Sequence, residues 1–119
     1  SPVNPDVSNH DLATRRCKPC EGGVPPLTPA AVTELRTALH KSWELSADGK
    51  WLSRRFEFPG FSRTMGFVNA VAWIAESEGH HPDIELGWGK VAITLTTHAI
   101  KGLSENDFIL AYKIDAGRS

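Results

Sequence analysis

The stretch Glu76-Ser77-Glu78-Gly79-His80-His81-Pro82-Asp83-Ile84-Glu85-Leu86-Gly87-Trp88-Gly89-Lys90-Val91-Ala92-Ile93-Thr94-Leu95-Thr96-Thr97-His98 holds a helix end, a hairpin and three imidazoles in one run. Gly79 is a natural terminator after Glu78, and Pro82 prevents the helix from continuing. Ile84 to Trp88 and Lys90 to Thr97 surround Gly87-Trp88-Gly89, which predicts a tight antiparallel hairpin. If the turn centres near Trp88 or Gly89, paired residues have numbers summing to about 177 to 179, so His98 is expected opposite positions about 79 to 81. Folding the hairpin therefore returns His98 to His80 and His81. Val91, Ile93 and Leu95 alternate with Ala92, Thr94 and Thr96, which puts His98 with the less apolar set, facing away from the helices or just past the strand end.

The same pattern continues outward. Ser62 is a candidate cap for a long apolar helix holding Met65, Val68, Ala72, Trp73 and Ala75. Before it, Trp43 to Leu45 and Trp51 to Phe58 flank Ser46-Ala47-Asp48-Gly49, a second hairpin signal. In that second strand Leu52, Phe56 and Phe58 share the core face, opposite Trp51, Ser53, Arg55 and Glu57. Thr28-Pro29 opens a helix predicted to run from about Pro29 to Lys41. Ser104 and Asp107 form a capping box for a last helix through Phe108, Ala111, Tyr112 and Ile114. The predicted fold is α+β, a four-stranded antiparallel sheet with three helices on one face in the order α-β-β-α-β-β-α. The open sheet face would bind a ligand or be covered by another subunit, so a homodimer or tetramer is expected.

Composition narrows the function. A chain of 119 residues with 40% hydrophobic and 23% charged residues suits one soluble domain. Its net charge of −1 and scattered cations give no basic stripe for nucleic acid. No apolar run reaches a membrane span and no leader pattern precedes the domain, so the default compartment is the cytoplasm. Residues 1–26 read as a flexible arm carrying a Cys17-Lys18-Pro19-Cys20 loop, and residues 27–119 as the packed domain. No second CxxC follows, so the pair is structural or incidental, redox-active, or part of a metal site shared between subunits.

Three histidines with Glu76 and Asp107 nearby are equipment for acid/base chemistry, because an unperturbed imidazole titrates near neutrality. Two blander readings compete: histidines that satisfy hydrogen bonds at element ends, and a zinc or iron site, which the opposed directions of His80 and His81 disfavour. Glu76 lies one helical turn before His80, where it could fix that imidazole's tautomer or anchor a substrate. Asp107 is expected to support His98 or to serve only as the cap, and Trp43 to lie along a substrate ring or in the core.

The spacing Glu76-x3-His80-His81-Pro82-x5-Trp88-x9-His98-x8-Asp107 resembles the signature of pterin-4a-carbinolamine dehydratases. Trp43, Phe56-x-Phe58-x-x-Phe61, Gly66-Phe67, Thr94-Leu95-Thr96-Thr97-His98 and Gly102-Leu103-Ser104-Glu105 extend it over about Leu27 to Ile114. The resemblance implies dehydration of 4a-hydroxytetrahydrobiopterin to quinonoid dihydropterin, without metal or organic cofactor. It implies catalytic roles for His80 and His98, substrate binding by His81, Glu76, Trp43 and Thr97, and supporting roles for Asp107 and Pro82. Gly79 and Asn106 depart from the acidic and basic residues typical of animal members. The family also includes non-catalytic members, among them a dimerisation cofactor of a transcription factor and Rubisco assembly factors. The Cys-Lys-Pro-Cys-Glu-Gly-Gly arm is similar to that of some bacterial and plastid members, which keeps Rubisco subunits as an alternative partner and the carboxysome as an alternative location.

Overall fold

A computed structural model describes residues 9–19 and 25–118. Helices α1 (Asn9–Thr14) and α2 (Pro29–Arg36) precede strands β1 (Glu44–Leu45) and β2 (Leu52–Glu57). Helix α3 (Phe61–Glu78), strands β3 (Asp83–Leu86) and β4 (Lys90–Leu95), a 3-10 turn (His98–Ile100) and helix α4 (Glu105–Arg118) follow. The four strands form one antiparallel sheet in the order β1-β2-β4-β3, so the predicted α+β architecture is the one observed.

The core forms where the strands' period of two meets the helices' period of 3.6. Val91, Ile93 and Leu95 of β4 and Leu52 and Phe56 of β2 point inward and are closed over by Phe67, Val71 and Ala75 of α3 and Phe108, Ile109 and Leu110 of α4. The opposite face carries Ser53, Arg55, Ala92 and Thr94, which stay partly or fully exposed.

Local chemistry sets the element ends. Thr28 Oγ1 accepts from Ala31 N at 3.2 Å and Pro29 occupies the first turn of α2. That helix stops five residues short of Lys41 because Thr37, Ala38 and Leu39 donate to carbonyls three residues back, a tighter winding. Ser62 does not cap α3. Phe61 is already helical after Gly60, and Thr64, which is buried, donates its hydroxyl to Gly60 O or Trp88 O at 2.8 and 2.9 Å. Nor is α3 apolar all round, since Ala72 and Trp73 face solvent.

At its other end Gly79 is left-handed at φ 68°, and His80 N donates to Ala75 O across the terminating turn. A side chain at Gly79 meets open space, so Gly79→Ala isolates the backbone term. Urea unfolding of that variant should show a loss of about 1 kcal/mol.

The β3–β4 register pairs Asp83 with Thr94 and Leu86 with Val91, a sum of 177, and centres the turn on Trp88-Gly89. Gly89 is required there, because a Cβ would lie 2.8 Å from Phe58 O. Strand β4 ends at Leu95, and Thr97 then bridges back to Gly102 around the 3-10 turn, with Lys101 left-handed at φ 55°. His98 therefore lies just past the strand, at the start of that turn.

Part of the N-terminal segment belongs to the folded body. Reading residues 1–26 as a flexible arm is corrected at Asn9–Thr14, which form α1 with Leu12 fully buried and pack against α4. Residues 1–8 and 20–24 lie outside the described residues. Among the described residues no helix is long and apolar enough to cross a membrane.

Candidate active site

The end of α3, the 3-10 turn after β4 and the start of α4 converge on one cleft of about 250 Å³. Gly79, His80, His81, Thr96, Thr97, His98, Ala99 and Asn106 line it, together with Lys18 and Pro19 from the segment after α1. All three imidazoles singled out from the sequence thus face a common space.

Asp107 organises the floor from behind. It is fully buried, and its carboxylate accepts from His80 Nε2 at 2.6 Å through Oδ1, and from Thr97 Oγ1 and Ser104 N at 2.7 and 3.0 Å through Oδ2. Thr97 has one hydroxyl proton and gives it to Asp107, so Ser104 Oγ is the donor in the 2.7 Å Ser104–Thr97 contact. Ser104 Oγ in turn accepts from Asn106 N, which completes the predicted capping box. A carboxylate can only accept, so His80 Nε2 carries a proton, and in the neutral ring Nδ1 is then the nitrogen with a free lone pair.

Partners differ from those expected. Asp107 holds His80 rather than His98. Glu76 meets His81 Nε2 at 2.8 Å on the exposed rim rather than reaching His80. The i to i+4 spacing fails because Gly79 leaves the helical path and turns His80 away from Glu76. Thr97 lines the cleft, but its hydroxyl is committed to Asp107 and Ser104, so it acts as a support and not as a free substrate contact. Pro82 is half-buried just beyond the pair.

Trp43 is withdrawn from the substrate-binding set. Its side chain is fully buried, packs edge-on to Phe56 at 6.4 Å and donates its indole N–H to Asp115 Oδ2 at 2.7 Å. Arg54 shares that cluster, with Nη1 2.7 Å from Asp115 Oδ1 and its guanidinium 4.5 Å from the Phe56 ring centre. Burial raises the Asp115 carboxyl above its ordinary range even with Trp43 and Arg54 against it.

His98 is exposed at the cleft and makes an edge contact with Trp51, ring centres 5.9 Å apart. Sequence reasoning did not single out Trp51. The pairing of Leu52 with Leu95 places it beside Thr96, and a non-local β2–β4 pairing has no local sequence signal.

Residues 25–117 match the profile of the family described as pterin 4 alpha carbinolamine dehydratase. The chain belongs to this family. It is 53% identical over 105 residues to a protein of Nitrosomonas eutropha, covering 88% of this chain and 91% of the relative. A Nitrosospira multiformis protein is 52% identical over 110 residues, covering 92% and 95%. Both carry the provisional name pterin-4-alpha-carbinolamine dehydratase. Among solved structures, a transcriptional coactivator/pterin dehydratase from Brucella melitensis superposes with a TM-score of 0.74 at 32% identity, over 79% of this chain and 99% of that one. A pterin dehydratase-like protein identified as a RuBisCO assembly factor in the alpha-carboxysome gives 0.56 at 32% identity, over 65% and 89%.

In this dehydratase-family chain Cys17 sits beside the cleft without lining it. Burial, reinforced by the Glu78 carboxylate, pushes its thiol up to about 12. A protonated thiol is a poor nucleophile, which disfavours Cys17 as an attacking thiolate in this arrangement. Cys20 lies outside the described residues. Among the described residues no three His, Cys, Asp or Glu side chains are placed to hold a metal ion.

Proposed function

We propose that the protein dehydrates 4a-hydroxytetrahydrobiopterin to quinonoid dihydropterin, in tetrahydrobiopterin recycling, by proton transfer at His80 and His98. The observation that supports this reading above all is that His80, His81 and His98 line one cleft while a buried carboxylate fixes His80 in a single tautomer. Loss of water needs a proton delivered to the departing 4a-hydroxyl and another withdrawn from a pterin ring nitrogen. His80 Nδ1, with its lone pair free, is suited to withdraw. His98, on an exposed turn, is suited to deliver and to regain its proton from solvent. His81, braced by Glu76, orients the pterin at the rim. The elimination is redox-neutral, so proton transfers suffice and the reading calls for no metal or organic cofactor.

The test is the decay of freshly generated carbinolamine. Protein should accelerate it, and His98→Ala should slow the catalysed rate by about 10²-fold. Decay at one rate with and without protein removes the enzymatic reading.

The likeness to the RuBisCO assembly factor supports a second reading, a non-catalytic scaffold for Rubisco subunits. The Brucella structure fits over more of the chain at equal identity, which ranks the dehydratase reading first. Recovery of Rubisco subunits on purification from the native host, with no effect on carbinolamine decay, would reverse that order. Either reading fits a homodimer or tetramer in the cytoplasm, covering the sheet face that carries Ser53, Arg55 and Thr94.

A further inference from the structure

Two of the three imidazoles are aimed by carboxylates. His80 is held by Asp107 at 2.6 Å and His81 by Glu76 at 2.8 Å. His98 has no such partner. Among the described residues no group hydrogen-bonds to its ring, and the one aromatic ring against it is that of Trp51, with centres 5.9 Å apart and planes at 77°. An imidazole without a hydrogen bond turns about two side-chain torsions. With three staggered wells at χ1 and about two at χ2, a loose ring spends roughly one sixth of its time in any one orientation. Proton delivery needs one of them, with a ring nitrogen facing the departing hydroxyl.

Trp51 is itself built into place. Its N–H donates to Ser46 Oγ at 3.0 Å and its carbonyl accepts from Ser46 N at 3.0 Å, which fixes it at the foot of the β1–β2 hairpin. One residue earlier, Lys50 O accepts from Thr96 Oγ1 at 2.7 Å. Thr97 then bridges to Gly102 and closes the 3-10 turn that begins at His98. The backbones that carry the two rings are therefore tied to each other, and a half-buried indole stands against an exposed imidazole. An edge contact between rings sets orientation without occupying a ring nitrogen, as a carboxylate partner would. Both His98 nitrogens stay open, one for the substrate and one for exchange with solvent.

We propose that Trp51 is the positioning residue for His98, an aromatic brace that aims the imidazole into the cleft and leaves both of its nitrogens free for proton transfer. This rests on the dehydratase reading of the site and adds what orients its proton donor.

Steady-state dehydration of carbinolamine by Trp51→Ala should show kcat lowered about five-fold, the loss expected when roughly one orientation in six is productive, with KM unchanged. Trp51→Phe keeps a ring against His98 and should hold kcat within about two-fold of wild type. In a His98→Ala background the further change Trp51→Ala should cost nothing, because the group it aims is gone. A merely structural role would lower both backgrounds alike. Ligand-free NMR gives a second readout: three-bond couplings across Cα–Cβ of His98 should report one χ1 rotamer in wild type and in Trp51→Phe, and an average over several in Trp51→Ala. A single rotamer that persists in Trp51→Ala, or a kcat loss that recurs in the His98→Ala background, overturns the brace. If wild type does not accelerate decay, the dehydratase reading falls, and the couplings alone decide whether Trp51 holds the ring.

Discussion

Asp107→Ala should lower the stability of the folded chain by about 3–5 kcal/mol, because it removes a fully buried acceptor of three hydrogen bonds. Thr97 Oγ1, Ser104 N and His80 Nε2 would all lose their partner, and α4 would lose half of its capping box, worth about 1 kcal/mol of the total. Against a typical margin of about 5–15 kcal/mol the loss is a large fraction of the total stability. Asp107→Asn separates the chemistry from the fold. The amide is nearly isosteric and its oxygen can still accept from Thr97 and Ser104, but its NH2 then faces His80 Nε2. To accept that bond His80 must move its proton to Nδ1, which takes the lone pair away from the cleft. This variant should fold, with a circular dichroism spectrum like that of wild type, and dehydrate carbinolamine about 10²-fold more slowly or worse. Wild-type turnover in Asp107→Asn would show that the His80 tautomer does not matter. An unchanged denaturation midpoint in Asp107→Ala would show that the buried network contributes little.

What the sequence made legible was whatever depends on neighbours in the chain. Gly79 marked the end of α3, Gly87-Trp88-Gly89 set a register inside the expected range, and Ser104 with Asp107 announced the start of α4. Convergence of the three histidines followed from the hairpin alone. Which carboxylate serves which imidazole was not legible. That depends on how the left-handed Gly79 redirects His80 and on where α4 docks beneath the 3-10 turn, and neither is encoded in spacing. Leu12 escaped notice because one apolar residue in a polar segment has no period, yet it is fully buried. The Asn106 side chain accepts from Lys18 N, 88 residues back along the chain, and the Trp43 and Arg54 bonds to Asp115 span 72 and 61 residues. Contacts of that range arise from tertiary packing and have no local signature.

Trp43→Ala should cost about 3–5 kcal/mol in urea unfolding while leaving the turnover of the folded fraction unchanged. The indole is fully buried against Phe56, so truncation opens a cavity where a core β-strand meets α4. It also strips Asp115 of its Trp43 donor and leaves Arg54 as the remaining hydrogen-bond donor to that carboxylate among the described residues. Trp43→Phe tests the two effects apart, since it keeps most of the volume and loses only the N–H. Burial raises the Asp115 carboxyl in the folded state, so the folded chain holds that proton to higher pH than the unfolded chain does. Stability from this group therefore falls as pH climbs from the ordinary carboxyl value through the raised one. Removing the Trp43 donor, which pulls the other way, raises it further and widens the window. The deficit of Trp43→Phe relative to wild type should accordingly be larger at neutral pH than in mild acid near the ordinary carboxyl value. A deficit independent of pH would mean that the Trp43–Asp115 bond is not what orders the cluster. A loss of turnover at full stability in either variant would return Trp43 to the substrate.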